Sequence, residues 1–512
     1  MQQFDTSKKC YFENIWLCIS EFVSKKNAIL IGWITLKGAI NCKMWLVVMN
    51  MYRKYIEDLI KWKNSYNRKP LMVWGARQVG KTYLIKEIFA KEYFPNKYIY
   101  VDCRIEHKFV DYCMEHVNAK EIIEYLSLDR DMVIDKDTLL IFDEAQECLP
   151  IITLMKYFCQ DFKEIPIIVT GSMVRIKIQR ENRKRGLGNK DKFLFPVGKI
   201  NQLTIYPMNF EEFLLNRNKQ LYDSVLTAYK NNKICEELIH NKALEVFYEY
   251  LLIGGMPEVV DTFIETGSYQ EARETLKDLY DNYLADMDLY QASPESIVRS
   301  KKIFENIYTQ LNKESKNFKV SLIEKDAKSK NMRSPIDWLE LAYLINKASL
   351  VKENVTIPLI DSDESLYRLY LSDIGIFSYQ SRINATTFID KKARNSLSGI
   401  FFDNYVASEL VKAGYKLFYW KGKGNSEFEF IIEYDSTVIP IDVKKSRGSL
   451  DSLNKFKNHN KLFVAIKISE NKYGYDVNNK ILTVPFYYVP FLINTLQKGE
   501  INGLINMGKM CN

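Results

Sequence analysis

Histidine is scarce. Four among 512 residues leave little room for metal or acid–base centres built from imidazole. Two of them, His107 and His116, follow Cys103 and Cys113 at ligand-like spacing, but Cys103 directly follows a predicted core strand. Buried thiols with surface histidines are therefore expected in preference to a Cys₂His₂ zinc site. The nine cysteines are odd in number and form no C-x-x-C pair. That argues against a secreted disulfide framework and fits reduced thiols in a cytosol. Long apolar runs are missing as well. Ala28 to Leu36 and Met44 to Met49 are apolar, yet Lys37 and Lys43 interrupt them well short of the roughly 18–20 residues a spanning helix needs. Lys8 and Lys9 stand where a signal peptide would begin, but Glu13 and Glu21 spoil the segment that should follow. No stable membrane insertion is expected, and residues 1–50 read as an uncertain extension ahead of a natural-looking start at Met49 or Met51. The surplus of one charge sign is small, +8 overall, which permits a nucleic-acid partner without demanding one.

The chain is too long for one ordinary core. From residue 51 a short amphipathic helix precedes an alternation of strands and helices. The strands are Pro70 to Trp74, Tyr98 to Asp102, Thr138 to Phe142 and Pro166 to Thr170, and helices are predicted over Lys81 to Glu92, Ala119 to Ser127 and Ile152 to Asp161. Short, continuously apolar strands separated by helices predict an α/β fold with a parallel sheet covered on both faces. This domain is assigned to 51–215. A helical lid or linker follows at 216–290, then a winged-helix-like region at 291–385, a second α/β domain at 386–495 and a tail at 496–512.

The first of these domains carries the clearest chemistry. Gly75-Ala76-Arg77-Gln78-Val79-Gly80-Lys81-Thr82 matches G-x-x-x-x-G-K-[ST], with a strand before it and a helix after. Such a loop wraps phosphates with its backbone amides, and the helix N-terminus adds partial positive charge. Lys81 would reach the β- and γ-phosphates of ATP and the Thr82 hydroxyl would ligate Mg²⁺. Further along, the apolar run TLLIF ends in Asp143-Glu144. Asp143 at the strand tip can hold the hydrated Mg²⁺, and Glu144 sits where a base could polarise the attacking water. The next strand ends Thr170-Gly171-Ser172, which offers Thr170, with Ser172 close behind, as a hydroxyl that senses the γ-phosphate.

GARQVGKT, LLIFDEAQ, IVTGS, PVGKINQLTIYPMNFEEFL and LLIGGMPEVV together resemble a bacterial and archaeal family of AAA-type P-loop ATPases that carry a C-terminal domain of unknown function. The resemblance runs from about residue 51 to 490. It implies an additional-strand sheet in which the sensor strand lies between the P-loop strand and the Asp143 strand. Many relatives have Gly-Arg where this chain has Gly198-Lys199, and Lys199 lacks the planar fork of arginine. Arg183 and Arg185, in the basic run 179–192, are possible stand-ins.

A second constellation lies downstream. Glu427-Phe-Glu429-Phe, a turn at 434–436, and Ile439-Pro-Ile-Asp442-Val-Lys444 resemble the acid, then acid-x-Lys core of restriction-endonuclease-like folds, which the family is reported to contain. Glu429 and Asp442 on adjacent strands could share a divalent ion, Lys444 could orient water, and Glu409 on the preceding helix could add a third carboxylate. Read without the resemblance, the same residues describe a solvent-facing hairpin of alternating charge. The stretch 313–333 is rich in lysine and could track a phosphate backbone or form a solvated helical face.

Three functions stay open: an ATPase that uses Mg²⁺-dependent hydrolysis to reposition C-terminal modules, with DNA as a candidate partner; an ATP-regulated Mg²⁺-dependent nuclease; and a non-hydrolysing switch that recruits a protein. An oligomer would be needed if a neighbouring subunit supplied an arginine.

Overall fold

The computed structural model describes residues 51–185, 195–231, 234–291, 293–325, 328–424, 426–445 and 450–510. The extension 1–50, residues 186–192 of the basic run and the side chains of Arg183 and Arg185 lie outside the described residues.

Strands β1 (Leu71–Trp74), β2 (Tyr98–Asp102), β3 (Leu139–Asp143), β4 (Ile167–Thr170) and β5 (Asn201–Thr204) form a parallel sheet in the order β2-β3-β4-β1-β5. Strands β1, β3 and β4 are buried at every position. Alternation still operates within these apolar runs. Leu71, Val73, Leu139, Ile141 and Ile168 enter one core, whereas Met72, Trp74, Leu140, Phe142, Ile167 and Val169 enter the other. Successive side chains face opposite sides of a pleated strand, so a two-sided sheet needs apolar residues at both parities. Strand β4, which ends in Thr170, lies between β1 and β3, the order of a P-loop NTPase sheet. The helix after the Gly-rich turn spans Tyr83–Ala90, wound in a wider pattern than an α-helix, and continues as Lys91–Tyr93.

The polypeptide then turns helical, through Phe210–Arg217, Lys219–Asn231, Glu237–Ile253, Pro257–Thr266 and Tyr269–Tyr290. A capping box at Asn209 and Glu212 starts the first of them, and Gly267, left-handed at φ +67°, ends the fourth. In the LLIGGMPEVV segment, a Cβ at Gly255 would stand 2.0 Å from the Met208 carbonyl oxygen. The glycine is needed because two backbones meet there.

Helices Pro294–Glu305, Ile307–Leu311 and Ser329–Leu341 precede β6 (Ile345–Leu350) and β7 (Tyr367–Leu371), an antiparallel pair. This pair does not stand apart. β6 runs parallel to β8 (Leu417–Lys421) and so joins one mixed sheet with β9 (Glu427–Tyr434), β10 (Thr437–Val443), β11 (Ala465–Ser469), β12 (Gly474–Asp476) and β13 (Ile481–Pro485). The order is β12-β13-β11-β10-β9-β8-β6-β7, and the sheet therefore crosses the expected division at 385/386. Helix Ile400–Lys412 is buried along nearly its whole length. The tail folds back as helix Ile501–Met510, with Ile501 and Leu504 buried. Among the described residues, no helix is long and apolar enough to cross a membrane.

Candidate functional site

The loop 75–82 bends through conformations that favour glycine. Gly75 has φ +141° and Gly80 φ +83°, and Gln78 between them is left-handed at φ +62°. At Gly75 a Cβ would lie 2.1 Å from the Ile205 carbonyl oxygen, so crowding and backbone angle both demand glycine. Ala76 and Val79 are buried on the apolar side of the turn. The loop is also braced from below. Arg53 donates to the carbonyl oxygens of Val79 (2.8 Å) and Tyr206 (2.6 Å) and to Glu212 Oε1 (3.1 Å). Both charged partners are almost fully buried.

Lys81 is buried, and its Nζ donates to the carbonyl oxygens of Gly75 (3.0 Å) and Ala76 (2.7 Å). Burial pushes its ammonium down to about 8, against the opposing pull of Glu144 and Asp143. Those two residues stand at the tip of β3. Asp143 receives hydrogen bonds from Thr82 Oγ1 at 2.6 Å, from the Tyr100 hydroxyl at 2.9 Å, and from Thr170 Oγ1. Thr82 of the Gly-rich loop and Thr170 at the tip of β4 thus meet on one carboxylate, because the sheet order places β4 between β1 and β3. Burial and the Asp143 charge push the Tyr100 phenol up. Ser172 is buried, and among the described residues its hydroxyl has no hydrogen-bond partner.

Glu144 adopts a left-handed backbone, φ +50°. Its Oε2 lies 2.8 Å from Arg104 Nη2 and also accepts from Gln146. A non-glycine residue in this conformation is strained, a feature that clusters at functional sites. Arg77 at the outer side of the loop is ion-paired with Asp286, and the Tyr283 hydroxyl donates to its carbonyl oxygen at 3.0 Å. Both partners belong to helix Tyr269–Tyr290. Burial raises the Asp286 carboxyl, while the Arg77 guanidinium opposes that shift. Lys199 is half-buried in the turn leading to β5.

Sequence reasoning missed Arg53, Tyr100, Arg104 and Asp286. Tyr100 had a legible signal, since it lies on a strand that pairs in register with β3 (Tyr100 opposite Ile141). Asp286 had none, for it lies 209 positions from Arg77.

The downstream constellation is partly sunk into the fold: Glu429 is buried, and Glu427, Asp442 and Lys444 are half-buried. Glu429 is 1% exposed, with Phe428 and Phe430 packed on either side of it in sequence. Antiparallel pairing of Ile441 with Phe430 sets Asp442 beside Glu429. Lys444 Nζ lies 2.8 Å from Glu429 Oε1 and 2.9 Å from Asp442 Oδ1. Burial works against ionisation of Glu429, but Lys316 and Lys444 outweigh it and hold the carboxyl at about 2. Asp442, raised by burial and by the Glu429 charge, is pushed up to about 6.

Glu409 does not join them. Its Oε1 is 3.2 Å from Lys412 Nζ, which also donates to the Met208 carbonyl and the Tyr250 hydroxyl. Asp403, six positions earlier, faces the cluster instead, with Oδ2 2.8 Å from the Lys316 Nζ that also contacts Glu427 and Glu429. At about 100° per residue that separation turns the side chain roughly 240° around the helix, to another face. Among the described residues, no group of three or more His, Cys, Asp or Glu side chains is arranged to hold a metal ion. Cys103 and Cys113 are buried free thiols, His107 is exposed, and His116 is half-buried with Nδ1 2.8 Å from Glu121.

Comparison with known proteins agrees with the first domain. A family model described as an AAA domain matches residues 67–214. Two models of domains of unknown function, DUF8612 and DUF4143, match residues 244–387 and 398–488. The chain thus carries an AAA-family domain of P-loop NTPase fold, followed by a helical region and a mixed-sheet α/β domain. No curated protein matches it. Similar solved structures include the ORC2 protein of Aeropyrum pernix in ADPNP–ADP complexes, at 14% identity over 67% of this chain and 90% of that one, with TM-score 0.28. AMPPCP-bound DnaA of Aquifex aeolicus shares 16% identity over 56% and 84%, TM-score 0.22. A DNA replication initiation factor shares 18% over 56% and 90%, TM-score 0.20. Overlaps this loose carry no weight for function.

Proposed function

We propose that this protein is a Mg²⁺-dependent ATPase that uses hydrolysis to reposition its C-terminal modules on nucleic acid. The observation that carries the reading is the convergence of Thr82, Thr170 and Asp143 at the edge of the Gly-rich loop. A hydroxyl and a carboxylate oxygen 2.6 Å apart suit a small, hard cation. Thr82 and Asp143 would hold Mg²⁺, which when bound neutralises charge on the phosphate oxygens. The amides of residues 75–82 would cradle the phosphates. Lys81 would exchange its two backbone acceptors for phosphate oxygens at little cost, since the ammonium is already desolvated. Glu144 would accept a proton from the attacking water once it leaves Arg104 and Gln146, and Thr170 would orient that water.

In this reading 51–215 is the ATPase domain and helix Tyr269–Tyr290 its lid, coupled through the Arg77–Asp286 pair. Three helices followed by a hairpin (β6 and β7) have the order of a winged helix. Helix Ile400–Lys412, the meander of β8 to β10, helix Asp451–His459 and β11 parallel to β10 have the order of a restriction-endonuclease-like core. Both support DNA as the partner. The second reading, a switch that binds ATP without turning it over, is favoured by one observation: Glu144 is held by Arg104 and Gln146.

ATPase rate, measured with and without duplex and single-stranded DNA at two salt concentrations, separates the readings. Hydrolysis stimulated by DNA and weakened by salt is expected. Tight ATP binding with negligible turnover under every condition would leave only the switch. Lys81→Ala should abolish nucleotide binding.

A further inference from the structure

The carboxylates of the C-terminal constellation already enclose a cation, and it belongs to the chain. Lys316 Nζ lies 2.8 Å from Asp403 Oδ2, 3.3 Å from Glu427 Oε1 and 3.5 Å from Glu429 Oε1. Those acids come from helix Ile400–Lys412 and from β9, whereas Lys316 comes from the segment between helices Ile307–Leu311 and Ser329–Leu341. The neighbours of Lys316 pin that segment down. Asn317 Oδ1 accepts from the Tyr419 hydroxyl at 2.9 Å, Phe318 N donates to the Tyr367 carbonyl oxygen at 2.8 Å, and the Phe318 ring stacks on Tyr367. Arg368, 2% exposed, donates to Glu427 Oε2 at 2.6 Å, and Lys444 bridges Glu429 and Asp442 from the other side. Four carboxylates therefore face three cationic side chains.

We propose that Lys316 is a built-in cation that closes this carboxylate cluster to divalent metal, so that the segment carrying it acts as an autoinhibitory plug. A divalent ion prefers several carboxylate oxygens at close range, and here the ammonium takes one oxygen from each of three acids. Metal and ammonium cannot share the position, because like charges inside a poorly solvated site repel strongly. The proposal deepens the nuclease-like reading of residues 386–495 and is independent of the ATP site.

The test is Mn²⁺ binding to the full chain without nucleotide, counted by electron paramagnetic resonance. Lys316→Met keeps the length of the side chain and removes its charge. Against wild type, it should gain about one equivalent of Mn²⁺, bound at least about tenfold more tightly than anything wild type takes up at this cluster. The added Glu429→Gln change should remove that gain, which assigns the ion to the cluster and not to Thr82 and Asp143. Mn²⁺ bound by wild type and lost on Glu429→Gln alone would overturn the proposal, whatever the fate of the Lys316 variant. So would a folded Lys316→Met protein, judged by circular dichroism, that gains no ion.

Discussion

Two regions of this chain bring lysine and carboxylate together beside a sheet, and they differ in what the carboxylate holds. At the P-loop, Asp143 is surrounded by hydroxyls, from Thr82, Thr170 and Tyr100. Lys81 is parked on backbone carbonyls instead of on the acid. In the C-terminal cluster Asp403, Glu427, Glu429 and Asp442 each have an ammonium or guanidinium within 3.5 Å, through Lys316, Lys444 and Arg368. Hydroxyls are neutral, so they can turn to share a carboxylate with a metal without leaving a charge stranded. A buried ion pair cannot open without exposing an uncompensated charge. The first arrangement is poised to exchange partners; the second is locked.

Four substitutions sharpen or break this contrast. Glu144→Gln should lower ATP turnover by a factor of about 10²–10⁴ while nucleotide binding, followed by filter retention, survives. A normal rate would remove Glu144 from the chemistry and with it half of the contrast. Arg53→Met should destabilise the first domain by about 3–5 kcal/mol in urea unfolding, because it strands the buried Glu212 carboxylate. A change below about 1 kcal/mol would show that the brace beneath the loop is ornamental.

The third test uses acid. Glu429 is held at about 2, below the value of about 4.3 it has in an unfolded chain. The folded state binds fewer protons between those values, so the stabilisation is complete above about pH 4.3 and is lost as pH falls toward about 2. The stability difference between wild type and Glu429→Gln should shrink across that window. A constant difference would mean the ion pairs are not what locks the cluster. The smallest effect belongs to Thr170→Val. Loss of one hydrogen bond to Asp143, worth about 1 kcal/mol, should slow turnover roughly fivefold, with nucleotide affinity nearly unchanged.

Sequence pattern carried the first domain further than the second for a physical reason. The Gly-rich turn, its flanking strand and helix, and the acidic tip of β3 are each local, and each needs residue types that few other structures require. The sheet itself was announced by short apolar runs. The C-terminal hairpin was also legible as alternation, but its burial was not, since Glu427-Phe-Glu429-Phe reads equally well as a half-exposed strand. Glu409 and Asp403 show the limit most plainly. Both are acids on one helix, and only the packing of that helix against β6, β7, β8 and β10 selects Asp403. Lys316 sat unremarked in a lysine-rich stretch that suggested phosphate contacts, because a charge run does not reveal which of its members turns inward.

The order of residues alone decided that a phosphate-sized loop would form between a strand and a helix, and that an acid would cap a buried strand nearby. Glycine angles and apolar periodicity act within a few positions and need no distant partner. Tertiary packing decided which charges met. It set Arg53 under the loop, Asp286 against Arg77, and Lys316 among three acids. Those pairs join parts of the chain as many as 209 positions apart, and electrostatic attraction that falls off within several ångströms is read only after the fold has closed the distance.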